Sequence, residues 1–178
     1  MFVTPDRCPI TAQTFEEKLE QLDLEPIAFQ LMHSNEAEWT YQQTMQAIAQ
    51  YRKFLSLIDL YPNRSLVPTQ DIDLVWHHHI LDTMKYAEDC QMLFGRFIHH
   101  FPYFGLRSES DRQNLQMAFK QTQALFQEHF GLDAAVTEEF VKVADCQPLG
   151  YSTKLTRPRV EIKSGISLEL PIFLIPTH

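Results

Sequence analysis

The chain has five glycines in 178 residues, three cysteines and no run of basic residues. No repeat and no low-complexity tract is present. Cys8, Cys90 and Cys146 cannot all pair and none stands in a CxxC, which disfavours a disulfide framework and a zinc ribbon and fits a reducing cytoplasm. Lys and Arg number 15 against 23 Asp and Glu, a formal charge of -8, so no basic patch offers counterion release and nucleic acid is not an expected partner. No stretch approaches the ~18 consecutive apolar residues of a membrane span. The first residues, Met1 to Asp6, lack a basic region followed by an apolar run. A soluble, cytoplasmic protein without membrane contact is therefore expected. What the chain does have is 44% hydrophobic and 12% aromatic residues, enough apolar surface to order one domain of this length.

Hydrophobic periodicity predicts a mainly α fold. Residues 1–11 read as an irregular arm, with Thr11 opening a helix to about Leu22 and Pro26 in the first turn of a second short helix. Ser34 is read as the cap of a long amphipathic helix over 36–60. Thr69 caps a central helix that continues through Asp71 to Phe94 and stops at Gly95; another runs from Ser108 to Gly131, and a last short one spans 134–143. Residues 147–178 alternate apolar and polar positions around Ser164 and Gly165, which reads as a small hairpin or an extended arm. The expected architecture is a single-domain helical bundle, residues 1–146, around one central buried helix, with the 147–178 arm packed on the same domain.

The run DIDLVWHHHILDTMKYAEDCQMLFGRFIHHFPYFG, residues 71–105, is the unusual part of the chain. As one helix it places Ile72, Val75, Trp76, His79, Tyr86, Cys90 and Leu93 on one face, and Leu74, His77, Leu81, Met84 and Met92 on the other. A helix apolar on both faces is expected to be buried all round. Asp82 lies three residues from His79, within reach of an i, i+3 contact. Five of the eight histidines fall within residues 77–100. Imidazoles beside carboxylates suit a divalent transition metal such as zinc, iron or manganese, or another small ligand, and His79, Asp82, His99 and His100 are the candidate ligands. His77, Tyr86, Asp89, Cys90 and Tyr103 are the candidate supports around them. The same residues also suit a hydrogen-bonded network that only satisfies buried polar groups. Neither HExxH nor the paired ExxH of di-iron bundles is present, and no catalytic residue is assigned.

This run resembles the signature of the glycine-rich domain-containing protein-like family of bacteria and plants. The likeness rests on Pro68, Asp71 to Asp73, the WHxH unit of Trp76, His77 and His79, then Asp82, Tyr86, Asp89, Cys90, and the HHxPY unit of His99, His100, Pro102 and Tyr103. It is dense over residues 36–105 and weak beyond, and the glycine-rich tail of the plant members has no counterpart here. The resemblance implies no established reaction. Two functions stay open: a buried His/Asp/Tyr site for a metal or small ligand, hydrolytic or oxidative if catalytic, or a non-catalytic interaction module. For the second, the arm around Ile166 to Ile175 would engage a protein partner or a second copy of the chain.

Overall fold

The structure is a computed structural model that describes residues 13–33, 39–131, 143–144, 146–148 and 157. Among these, the chain forms helices α1 (Phe15–Gln21), α2 (Glu25–His33), α3 (Tyr41–Leu60), α4 (Gln70–Leu81), α5 (Thr83–Phe94) and α6 (Glu109–Phe130). Two short strands, β1 (His100–Phe101) and β2 (Gln147–Pro148), complete a mainly α fold. No helix among the described residues is long and apolar enough to cross a membrane.

Hydroxyl caps set the helix starts. Thr14 accepts from the Glu17 amide while the Glu17 side chain reaches back, and Thr40 and Gln43 repeat this reciprocal box. The first helix therefore starts after Thr14 rather than at Thr11, and the long helix starts at Tyr41 rather than at 36. Thr11 and Ser34 lie outside the described residues. Thr69 and Ser108 cap α4 and α6 as their spacing indicates. Gly95, at φ 65°, ends α5 in the left-handed region. Gly105 needs to be glycine on two counts: its φ is +87°, and a Cβ there would lie 2.6 Å from Leu115 Cδ2.

The central helix is two helices. Asp82, at φ -80° and ψ 75°, ends α4 and caps α5, its carboxylate accepting the Lys85 amide at 3.4 Å. A short acidic side chain that bonds the local backbone competes with helical continuation, and here it wins. The all-round burial expected for an unbroken helix is also absent. Leu81 and Met84, on either side of the break, are 74% and 76% exposed. The other face is the fully buried one, with Ile72, Val75, Trp76 and His79 of α4 and Tyr86, Cys90 and Leu93 of α5, while Leu74 and Met92 are partly buried against the same core.

Helix α4 is central in the sense that matters: it packs against α2, α3 and α5. Trp76 meets Phe54 of α3 with ring centroids 5.8 Å apart, among Tyr51, Leu57 and Ile58. A smaller cluster of Val67, Phe101, Phe104, Leu115 and Ala118 anchors the loop between β1 and α6. Strand β2 pairs antiparallel with β1, His100 opposite Pro148 and Phe101 opposite Gln147. The start of the arm thus lies on the helical body. The hairpin residues 160–175 and most of the helix read over 134–143 lie outside the described residues; Val143, at the end of that helix reading, instead bridges Thr69.

Candidate functional site

The histidines of the central run separate into two groups. Helix α4 turns His79 into the core and leaves His77 on its outer edge. His79 is 1% exposed, and both of its ring nitrogens are engaged: Nδ1 with the Tyr51 hydroxyl at 3.0 Å and Nε2 with Asp89 Oδ2 at 2.8 Å. Lys85 Nζ lies 2.9 Å from the same Asp89 oxygen. Burial pushes the His79 pKa below its usual value, although Asp89 opposes the shift. Burial first, and neighbouring Tyr86, Cys90 and Asp89 second, push the Tyr51 phenol well above its own. A neutral imidazole between a protonated phenol and a carboxylate has one consistent assignment. Tyr51 O–H donates to Nδ1, and Nε2–H donates to Asp89.

The partner of His79 is therefore Asp89, nearly two turns into α5, and not Asp82, whose carboxylate is taken by the Lys85 amide. Tyr86 accepts from Trp76 Nε1 at 2.9 Å and donates to the Ile98 carbonyl at 2.6 Å. Burial raises its pKa, so it keeps that proton. Cys90 is buried, and burial likewise pushes its thiol up. His99 is exposed against the Phe97 ring, and Tyr103 packs edge-on to Phe101.

The second group converges. Strand β1 carries His100 to the first turns of α4, where its Nε2 lies 3.0 Å from Asp73 Oδ1 and 3.1 Å from His77 Nε2. Asp73 and His77 are one turn apart on α4, with His77 Nε2 3.7 Å from Asp73 Oδ2. From beyond α6, Cys146 brings its Sγ to 2.7 Å from Asp73 Oδ1. Asp73, His100 and Cys146 place one potential ligand atom each within 4.8 Å of one another. Cys146 is 2% exposed, whereas the His77 side chain is 46% exposed and forms the solvent side of the cluster.

The charge states suit a cation. Burial pushes the Asp73 carboxyl up, but the contacts from His100 and Cys146 and the nearby His77 outweigh it, leaving the group below the usual carboxylate range. Burial holds the His77 imidazole below its usual value against the pull of Asp73. Hydrogen bonds serve part of this cluster, since Asp73 Oδ1 can accept from both His100 and Cys146, but the single hydrogen that His100 Nε2 can carry faces both that oxygen and the His77 ring nitrogen. A cation at the point shared by Asp73, His100 and Cys146 would take a lone pair from each of the three. Ligand atoms of a tetrahedral zinc stand about 3.3 to 3.5 Å apart, given bonds of about 2.0 to 2.3 Å, so the Asp73–His100 and Asp73–Cys146 separations would each have to open by under about 1 Å.

Of the residues singled out in the sequence, the structure brings His100 and His77 into this cluster and places His79, Asp82 and His99 elsewhere. Asp73 and Cys146 were not among the candidate ligands. The four-residue spacing of Asp73 and His77 is a visible signal for one helix edge. Nothing in the spacing points to Cys146, 73 residues from Asp73.

These features define a mainly α protein with a His/Asp/Cys cluster at the seam between a central helix and a small strand pair. The UCP032817-like family profile matches residues 14–153, and the chain belongs to that family. It is also similar to two Arabidopsis thaliana proteins, consistent with the likeness carried by the histidine-rich run. Identity is 38% over 93 residues with glycine-rich domain-containing protein 1 and 37% over 90 residues with glycine-rich domain-containing protein 2. Each match covers 48% of this chain and 11% of the plant protein, so the chain spans about a ninth of those relatives. No solved structure matches.

Proposed function

We propose that this chain is a cytoplasmic metal-binding protein in which Asp73, His100 and Cys146 hold one divalent transition metal, with His77 as the fourth ligand on the solvent side. The convergence of Asp73, His100 and Cys146, whose ligand atoms lie within 4.8 Å of one another, carries this reading, with His77 Nε2 at its edge 3.1 Å from His100 Nε2. A mixed nitrogen, oxygen and sulfur donor set suits zinc, and also iron; manganese, which favours oxygen ligands, is the poorer fit.

Cobalt(II) is the direct probe, because a thiolate bound to it gives an intense charge-transfer absorption. Metal-free protein titrated with cobalt should develop that band to one equivalent. Cys146→Ser should lose it while still binding cobalt more weakly, and His100→Ala should lower affinity further. A wild type that develops no band, with circular dichroism showing an intact fold, would leave the cluster as a packing network and return the interaction-module reading.

A further inference from the structure

Among the described residues, the His100 ring makes hydrogen-bonding contacts with Asp73 and His77, and both use Nε2, the atom that would bind the metal. A nitrogen occupied by metal cannot also be aimed by those two contacts. The imidazole must then be oriented by what packs on its ring and by the chain that leads into it. Both trace to one oxygen. The Trp76 ring stands 4.7 Å from the His100 ring, at 73° to it, and the Trp76 indole donates from Nε1 to the Tyr86 hydroxyl at 2.9 Å. That hydroxyl in turn donates at 2.6 Å to the carbonyl of Ile98, two residues before His100. Tyr86, on α5, therefore fixes the indole that packs on His100 and the backbone that enters β1. Trp76, Tyr86 and Ile98 are all buried, so no water stands ready to replace either bond once it is broken.

We infer that Tyr86 is the positioning residue for His100: its hydroxyl, which is bonded to none of the proposed ligands, aims the imidazole and so sets the affinity of the site for metal. This rests on the metal-binding reading above and adds to it a dependence on α5, a helix that supplies no ligand. Residues that orient a ligating histidine commonly change metal affinity by about 10- to 100-fold when they are replaced. Tyr86 acts through a carbonyl and an indole rather than by a bond to the imidazole itself, which places it at the lower end of that range. The competing reading is that the hydroxyl does no more than satisfy the buried Trp76 N–H and Ile98 carbonyl. Its loss would then lower stability and leave affinity alone.

Tyr86→Phe in the full chain keeps the ring, with its contacts to His79 and Phe97, and removes only the hydroxyl. Cobalt(II) affinity, followed through the thiolate charge-transfer band in competition with a chelator, should fall about ten-fold although all four proposed ligands remain. Tyr51→Phe deletes a different buried hydroxyl, the one that serves His79, and should lower stability without changing cobalt affinity. In a His100→Ala background no imidazole is left to aim, so adding Tyr86→Phe should change affinity by less than about two-fold. Unchanged affinity in folded Tyr86→Phe would overturn the positioning role and leave metal binding intact. So would an equal loss in Tyr51→Phe, or a ten-fold loss that persists in the His100→Ala background. Should Tyr86→Phe fail to fold, Trp76→Phe, which removes the indole N–H and the ring that packs on His100, is read in the same two backgrounds by the same criteria. A wild type that develops no cobalt band would overturn the metal-binding reading and the positioning role with it.

Discussion

Removing one oxygen from Tyr51 tests whether the buried His79 is neutral. Tyr51 is 0% exposed and its hydroxyl lies 3.0 Å from His79 Nδ1, so Tyr51→Phe preserves shape and leaves a buried ring nitrogen without a donor. An orphaned buried acceptor costs about 1 to 3 kcal/mol, which for a domain of this size lowers the melting temperature by about 2 to 4 °C per kcal/mol. Asp89→Asn is the informative companion. If Nε2–H donates to a carboxylate beside a neutral ring, the asparagine carbonyl can accept the same bond at 2.8 Å, and the variant should cost about 1 kcal/mol or less. The loss of the Lys85 pair adds little, because such partly solvated pairs contribute at most about 1 kcal/mol. If the imidazole were instead a buried cation, removing its counter-charge would cost about 3 to 5 kcal/mol. Urea denaturation with an unchanged m value reads both variants. An Asp89→Asn cost of 3 kcal/mol or more, or a Tyr51→Phe cost near zero, would refute the assignment of protons.

Three further outcomes are expected. Trp76→Ala, at a wholly buried position in contact with Phe54, should destabilise by about 3 to 5 kcal/mol in the same denaturation assay. The Trp76 ring is 4.7 Å from that of His100, so cobalt bound at the cluster should quench Trp76 emission in a Trp39→Phe background, and His100→Ala should abolish the quenching. Asp111 is held below the usual carboxylate range by Arg107, with burial opposing and the Gly105 and Arg107 amides assisting. A depressed folded pKa means that its contribution is complete above about pH 3.9 and is lost as pH falls below that value. Asp111→Asn should therefore be less stable at neutral pH and show a shallower loss of stability in acid.

Local chemistry carried much of the fold into the sequence. Thr69, Ser108, Gly95 and Gly131 mark their helix ends because each cap needs only its own neighbours. Asp82 was misread for the same reason in reverse. Its aspartate sits inside an apolar pattern that continues across it, and only the backbone shows that its carboxylate ends one helix to start the next. In the cluster, Asp73 and His77 share a helix edge and were legible in principle, and His100 stood out in the histidine run. Cys146 was not legible, since its position depends on the chain returning past α6 to pair β2 with β1, a tertiary event without a periodic trace.

The central claim is that Asp73, His77, His100 and Cys146 hold a metal, and elemental analysis of the untagged full chain tests it most directly. The wild type, freshly purified or reconstituted with zinc and dialysed, should retain one metal ion per chain. Cys146→Ser and His100→Ala, with far-ultraviolet circular dichroism matching the wild type, should each retain far less. A wild type that keeps no zinc or iron after reconstitution, or variants that keep as much as the wild type, would contradict the account.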